Sequence, residues 1–203
     1  IVRRGDNLCN RVFMETKMSS LITDTTVYTT RPTDPRIPKE ERVYDLLDSL
    51  GVAFSRVDHE AVDTIEGCFE IEELLGIHIC KNLFLTNSKR DRYYMLILPG
   101  EKQLVTRELA RQIGSTRLSF AGPDKMSELL DLTPGSVSVF GLMNDSDNSV
   151  TLLIDRDILS WEYVGAHPCI NTSSLKIATR DLINKILPRI HHEPTIVDVA
   201  PAE

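Results

Sequence analysis

Lys81-Asn82-Leu83-Phe84-Leu85-Thr86, then the polar turn Asn87-Ser88-Lys89-Arg90-Asp91, then Tyr93-Tyr94-Met95-Leu96-Ile97-Leu98: this stretch decides how the chain folds. Two short runs rich in aliphatic and aromatic residues, separated by turn-forming ones, predict a β-hairpin with strands over 82–86 and 93–98. On its N-terminal side, apolar residues at Val43, Leu46, Leu47 and Leu50 follow Pro38 and close at Gly51. That is an amphipathic helix with proline in its first turn and glycine past its end. Ala53–Val57 alternates like a strand, and a second helical stretch runs from Thr64 through Ile71, Leu74 and Leu75 to Gly76.

Beyond the hairpin, Thr106 is expected to cap a helix to Ile113, and a short strand at Leu118–Phe120 leads to a helix over Pro123–Leu130. Strands follow near Val137–Phe140, Val150–Ile154, Trp161–Val164 and after Asn171, and a last helix covers Thr179–Leu187 up to Pro188. Hairpins and crossovers mix irregularly. The expected class is α+β: a mixed, largely antiparallel, curled sheet with helices around it, forming one domain. Residues 38–190 would make that domain. Residues 1–37 would be an N-terminal tail or arm whose first residues are added or processed. Residues 191–203, polar and carrying Pro194 and Pro201, would be a loosely held tail with His191 and His192 in solvent.

With 203 residues, 41% of them hydrophobic, the chain can bury a sizeable core. No run approaches the length of a membrane span, and no secretory leader is visible. Cys9, Cys68, Cys80 and Cys169 show neither CxxC pairing nor zinc-like spacing with histidines. These features predict a cytoplasmic protein with free thiols, no membrane partner and no metal. The net charge is −7, yet residues 81–125 hold nine basic side chains against four acidic ones, a balance of +5. Such asymmetry suits a phosphate-facing surface on an acidic body, or an ordinary solvated face.

Three places stand out chemically. Lys81 borders a sheet interior, where its ammonium either snorkels to water or offers a fixed positive charge. Thr133-Pro134-Gly135-Ser136 reads as a turn in which Gly135 permits a backbone conformation other residues resist, with N–H groups suited to an oxyanion or simply a connector. Gly165-Ala166-His167-Pro168 holds a histidine in extended geometry, because Pro168 restricts the residue before it. No GxSxG, HExxH, Walker A or GxGxxG pattern is present. Catalysis here would rest on positioning and electrostatics.

In combination these residues resemble the YbaK/ProX family of aminoacyl-tRNA editing domains. The resemblance runs from about Lys39 to Leu187. It includes Val57-Asp58-His59-Glu60-Ala61-Val62 with Thr64-Ile65-Glu66, the Lys81–Leu85 strand, Leu118–Ala121, Leu132–Val137 and Gly165–Pro168. Phe140-Gly141-Leu142-Met143-Asn144-Asp145 resembles the ProX branch. Two positions depart from the pattern: Val139 stands where proline is usual, and Leu132 where the turn's first glycine is usual.

The resemblance implies a trans-acting deacylase that hydrolyses the ester of mischarged tRNA(Pro), Ala-tRNA(Pro) foremost, without a cofactor. Prolyl-tRNA synthetase would be an accessory partner. Lys81, Gly135 and His167 would be the catalytic residues. Ile65, Leu83, Phe84, Pro134, Ser136, Gly165 and Pro168 would bind the substrate, and Arg90 and Arg92 would meet tRNA. Editing of Cys-tRNA(Pro), or a non-catalytic tRNA-binding or synthetase-associated module, are the alternatives.

Overall fold

A computed structural model describes residues 24–61, 65–78 and 80–200, with the side chains of 65–68 excluded. Its elements run α1 (Pro38–Ser49), β1 (Phe54–Asp58), α2 (Ile65–Leu75), β2 (Cys80–Asn87), β3 (Tyr93–Pro99), α3 (Thr106–Gln112), β4 (Leu118–Phe120) and α4 (Pro123–Leu130). A 3-10 helix over Val139–Asn144 precedes β5 (Val150–Asp155), and another over Arg156–Ser160 precedes β6 (Tyr163–Ala166). Then come β7 (Ser173–Ala178), α5 (Thr179–Asp181), a π-helical turn at Leu182–Ile186, α6 (Leu187–Arg189) and β8 (Thr195–Val197).

The strands divide between two sheets. One is antiparallel, in the order β1-β7-β6; the other is mixed, in the order β4-β2-β3-β5-β8. The β2–β3 hairpin pairs Lys81 with Leu98 and Thr86 with Tyr93. β3, β5 and β8 run parallel. This is the mixed α+β architecture expected from the sequence. Period-two alternation along the hairpin splits the core. Phe84, Met95 and Ile97 join Leu152, Ile154, Phe140 and α1 on one face, while Leu85, Leu96 and Leu98 join Leu109, Leu118 and Val197 on the other.

Both long helices that flank the three-stranded sheet end on glycine. After α1, Gly51 takes φ +59°, its N–H returns to the Asp48 carbonyl, and the Val52 N–H returns to Leu47. These two bonds satisfy carbonyls the helix leaves open. After α2, Gly76 takes φ +58° and the Ile77 N–H returns to Glu72, which fixes where Ile77 lands.

Four local expectations are corrected. The segment near Val137–Phe140 is no strand: Ser138 caps a 3-10 helix by accepting the Phe140 N–H, and Val139 occupies its first position, a place that favours proline. Thr106 is not a cap, since Val105 takes that place without a side-chain bond. The last helix continues past Pro188, the π turn re-phasing the backbone so that the missing N–H falls in the first turn of α6.

Finally, residues 191–200 are packed. β8 extends the larger sheet, and His192, 4% exposed, meets Asp145 at 3.1 Å. The Val199 N–H donates to the buried Asp155 carboxylate at 2.8 Å. The arm from Asp24 is held as well. Tyr28 and Arg56 exchange main-chain bonds of 2.9 and 2.8 Å, and Arg31 reaches Glu41, Asp45 and Asp48 on α1.

Candidate functional site

The Thr133–Ser136 turn and the loop from β6 to β7 converge. Ser136 N–H closes on the Thr133 carbonyl at 3.0 Å, and Gly135 has φ +86°. Proline followed by glycine in the left-handed region makes a type II turn. Ser136 is 3% exposed; its hydroxyl donates to the Thr133 carbonyl and accepts the Thr133 N–H, so it braces the turn from inside. The Ser136 N–H is thus spent on closing the turn, and Gly135 stands at its tip. A Cβ on Gly135 would lie 3.7 Å from the Asn171 amide nitrogen, which places Asn171 beside it.

His167 follows β6 and is fixed from two sides. The Ser138 hydroxyl donates to its carbonyl at 2.5 Å, and its Nδ1 meets the Ser173 carbonyl at 2.9 Å. A carbonyl only accepts, so Nδ1 carries the proton and Nε2 presents a lone pair in the neutral ring. Burial pushes the His167 pKa below the ordinary imidazole value, and neighbouring His59 pushes the same way against the pull of the Ser173 carbonyl.

His59 stands 6.2 Å away, ring centre to ring centre. Its Nδ1 donates to the Glu60 carbonyl at 2.7 Å, its Nε2 meets the Ser174 hydroxyl at 2.9 Å, and burial lowers its pKa as well. Two neutral imidazoles therefore face each other at neutral pH. Pro168 and Cys169 behind them are buried, and burial pushes the Cys169 thiol up to about 12. That thiol stays protonated and is no nucleophile.

Gly165 matters for a different reason. A Cβ there would sit 2.6 Å from Cδ1 of Ile77, whose side-chain tip would have to move aside, so the loop after α2 crosses β6 closely at this residue. Lys81 is exposed at the start of β2, and its Nζ donates to the Lys102 carbonyl at 2.9 Å. No hydrogen bond among the described residues joins Lys81 to the His167 group. Leu83, half-buried, shares the face of Lys81, whereas Phe84 points the opposite way into the core, 2% exposed and 5.8 Å from the Tyr93 ring. Two neighbours on one strand cannot both line one cup. The side chain of Ile65 lies outside the described residues.

Arg90 and Arg92 are exposed in the β2–β3 turn, about 20 Å along the strand from Lys81. Lys102, counted in the basic segment, is withdrawn from any surface: it is 7% exposed and paired with Asp155 and Asp157 at 2.8 and 2.7 Å. Sequence reasoning did not single out His59, Ser138, Asn171 or Lys102. His59 was visible inside the Val57–Val62 segment; Ser138 and Asn171 act through backbone or loop contacts that no spacing encodes.

Residues 59–185 match the model of the aminoacyl-tRNA editing domain. The chain belongs to the aminoacyl-tRNA editing domain family. It is 32% identical over 143 residues to the prolyl-tRNA editing protein ProX of Acetoanaerobium sticklandii, covering 70% of this chain and 87% of that one. It is 29% identical over 169 residues to prolyl-tRNA synthetase associated domain-containing protein 1 of Danio rerio, covering 82% and 88%.

The crystal structure of a candidate trans-editing enzyme for prolyl tRNA synthetase superposes on 83% of this chain and all of that one, with a TM-score of 0.60 at 18% identity. The editing domain spans the turn, both histidines and the lysine strand. Leu132, where the family pattern has glycine, is 1% exposed, and its Cδ1 fills the space above Gly141. Among the described residues no helix is long and apolar enough to cross a membrane.

Proposed function

We propose that this protein is a trans-acting deacylase that hydrolyses the ester of mischarged tRNA(Pro), with Ala-tRNA(Pro) its preferred substrate. The observation that carries this reading is the locked, neutral His167 beside the type II turn of Gly135. Water adds to the ester carbonyl, and the acyl C–O bond to the ribose breaks as the tetrahedral oxyanion collapses. The proton given up by the water ends on the departing ribose oxygen, leaving free amino acid and a ribose hydroxyl. The Gly135 N–H is the donor for the developing oxyanion. Nε2 of His167 accepts a hydrogen bond from the ribose hydroxyl or the substrate amine and so orients the ester. Lys81 supplies positive charge to the ester or the adjoining phosphate. The ribose hydroxyl assists the water.

A second sieve is needed because a synthetic site shaped for proline admits alanine: missing methylenes cost only about 1–3 kcal/mol each. The editing site must exclude the larger ring. Initial rates on Ala-, Cys- and Pro-tRNA(Pro) test this. Fast loss of alanine with prolyl ester intact is expected; preferential loss of cysteine moves the substrate assignment, and loss of proline refutes the sieve.

A further inference from the structure

Two clefts of about 530 and 490 Å³ share one short segment, Trp161-Glu162-Tyr163, at the start of β6. The larger adds Arg180 and Ile183; the smaller adds Gly76, Ile77 and His78. Trp161 is half-buried, while Tyr163, at 36%, and His78 are exposed. The His78 and Trp161 rings lie 5.3 Å apart, and Nζ of Lys176 stands 4.3 Å over the Tyr163 ring. Lys176 is pinned there by the Leu75 and Gly76 carbonyls that end α2.

Alternation along β6 puts Tyr163 and Gly165 on one face, with Trp161 just before the strand and His167 just after it. Register agrees, because Gly165 pairs with Lys176, whose side chain meets Tyr163 on that face. The row thus carries two aromatic rings, a crossing point beneath Ile77, and then the histidine of the candidate site. Tyr163 and His167 are four residues apart, about 13 Å in an extended strand. Arg90 and Arg92 lie at the far end of the hairpin from Lys81; this row begins beside the loop that leads into Lys81.

We infer that the Trp161–Tyr163–His78 platform binds the unpaired nucleotides just upstream of the aminoacylated 3′ terminus of the substrate RNA by stacking their bases. The inference rests on the editing reading, since it takes His167 as the position of the terminal nucleoside. Two features select unpaired bases as the occupant. Exposed π-faces with a cation behind them stack any base. Unpaired nucleotides have their faces free, whereas a duplex hides them.

Trp161 is the sole tryptophan of the chain, so its fluorescence reports on the platform directly. The full chain is titrated with an RNA hairpin carrying an unpaired 3′ CCA end and with the same hairpin ending blunt. Saturable quenching by the first alone is expected, and Tyr163→Ala weakens it roughly fivefold to a hundredfold, the range for loss of one stacked base. No quenching, or equal quenching by the blunt hairpin, overturns the inference.

Hydrolysis is read separately. Tyr163→Ala lowers kcat/KM on Ala-tRNA(Pro) but not on alanyl-adenosine, which has no upstream nucleotides. Equal loss on both substrates contradicts the platform. Quenching without any hydrolysis by the wild type upholds the platform and refutes the editing reading instead.

Discussion

Lys81 Nζ donates to the main-chain carbonyl of Lys102 at 2.9 Å, and the side chain of Lys102 is itself buried against Asp155 and Asp157. The exposed cation at the start of β2 is therefore held by a loop whose anchor lies inside the larger sheet. Burial alone would weaken the Lys102 ammonium, but its two carboxylate partners outweigh this and raise its pKa.

Lys102→Met leaves Asp155, fully buried, without its cation. Removing one partner of a buried pair costs about 3–5 kcal/mol. Urea unfolding of Lys102→Met is expected to show that loss, and Lys102→Met with Asp155→Asn to recover part of it. Equal stability of Lys102→Met and wild type contradicts the anchoring role.

The two imidazoles set a pH dependence. Both His59 and His167 have folded-state pKa values below the ordinary 6.5. The folded protein therefore binds these protons more weakly than the unfolded chain. Their stabilising contribution is complete above about pH 6.5 and is lost as pH falls through the depressed values. The kcat/KM profile is expected to have an acid limb with its midpoint below 6.5. His59→Gln removes a like charge from beside His167 and moves that limb upward. A flat profile between pH 5 and 7 contradicts a neutral His167 at the site.

Gly165 and Ile77 form a testable pair. Gly165→Ala brings a methyl to 2.6 Å from Cδ1 of Ile77; that tip must turn aside within a buried side chain, at a cost near the low end of about 1–3 kcal/mol. Ile77→Val removes that atom. The double variant is expected to be more stable than Gly165→Ala alone, and a double-mutant cycle reads the coupling. Strict additivity contradicts the crossing geometry.

Much of this was legible because each element carries its own period or punctuation. The hairpin was marked by its two apolar runs, α1 by Pro38 and Gly51, and the editing family by Lys81, Pro134-Gly135 and His167-Pro168 appearing in order. What escaped was encoded in distant contacts. β8 is three residues long, Thr195–Val197, too short for an alternating pattern, and becomes a strand only because β5 offers it an edge. Val137–Phe140 has strand-like composition, yet the Ser138 hydroxyl both caps a 3-10 helix and donates to the His167 carbonyl. The burial of Lys102 depends on two aspartates more than fifty residues later in the chain.

Truncation after Ile190 tests the packed C-terminal segment. It removes β8, takes His192 from Asp145 and takes the Val199 N–H from Asp155. With about 2–4 °C of Tm for each kcal/mol in a chain of this size, and two buried carboxylates losing partners at about 1–3 kcal/mol each, Tm is expected to fall by roughly 5–20 °C. An unchanged Tm contradicts the packing of residues 191–200.

The most direct test of the account is single-turnover deacylation of Ala-tRNA(Pro) by the wild type and by Lys81→Ala and His167→Ala in parallel, with Tm measured for each. The account predicts rapid release of alanine by the wild type and a loss of at least a hundredfold in both variants while their folding holds. Wild-type release no faster than the spontaneous rate, or release at the wild-type rate by both variants, contradicts it.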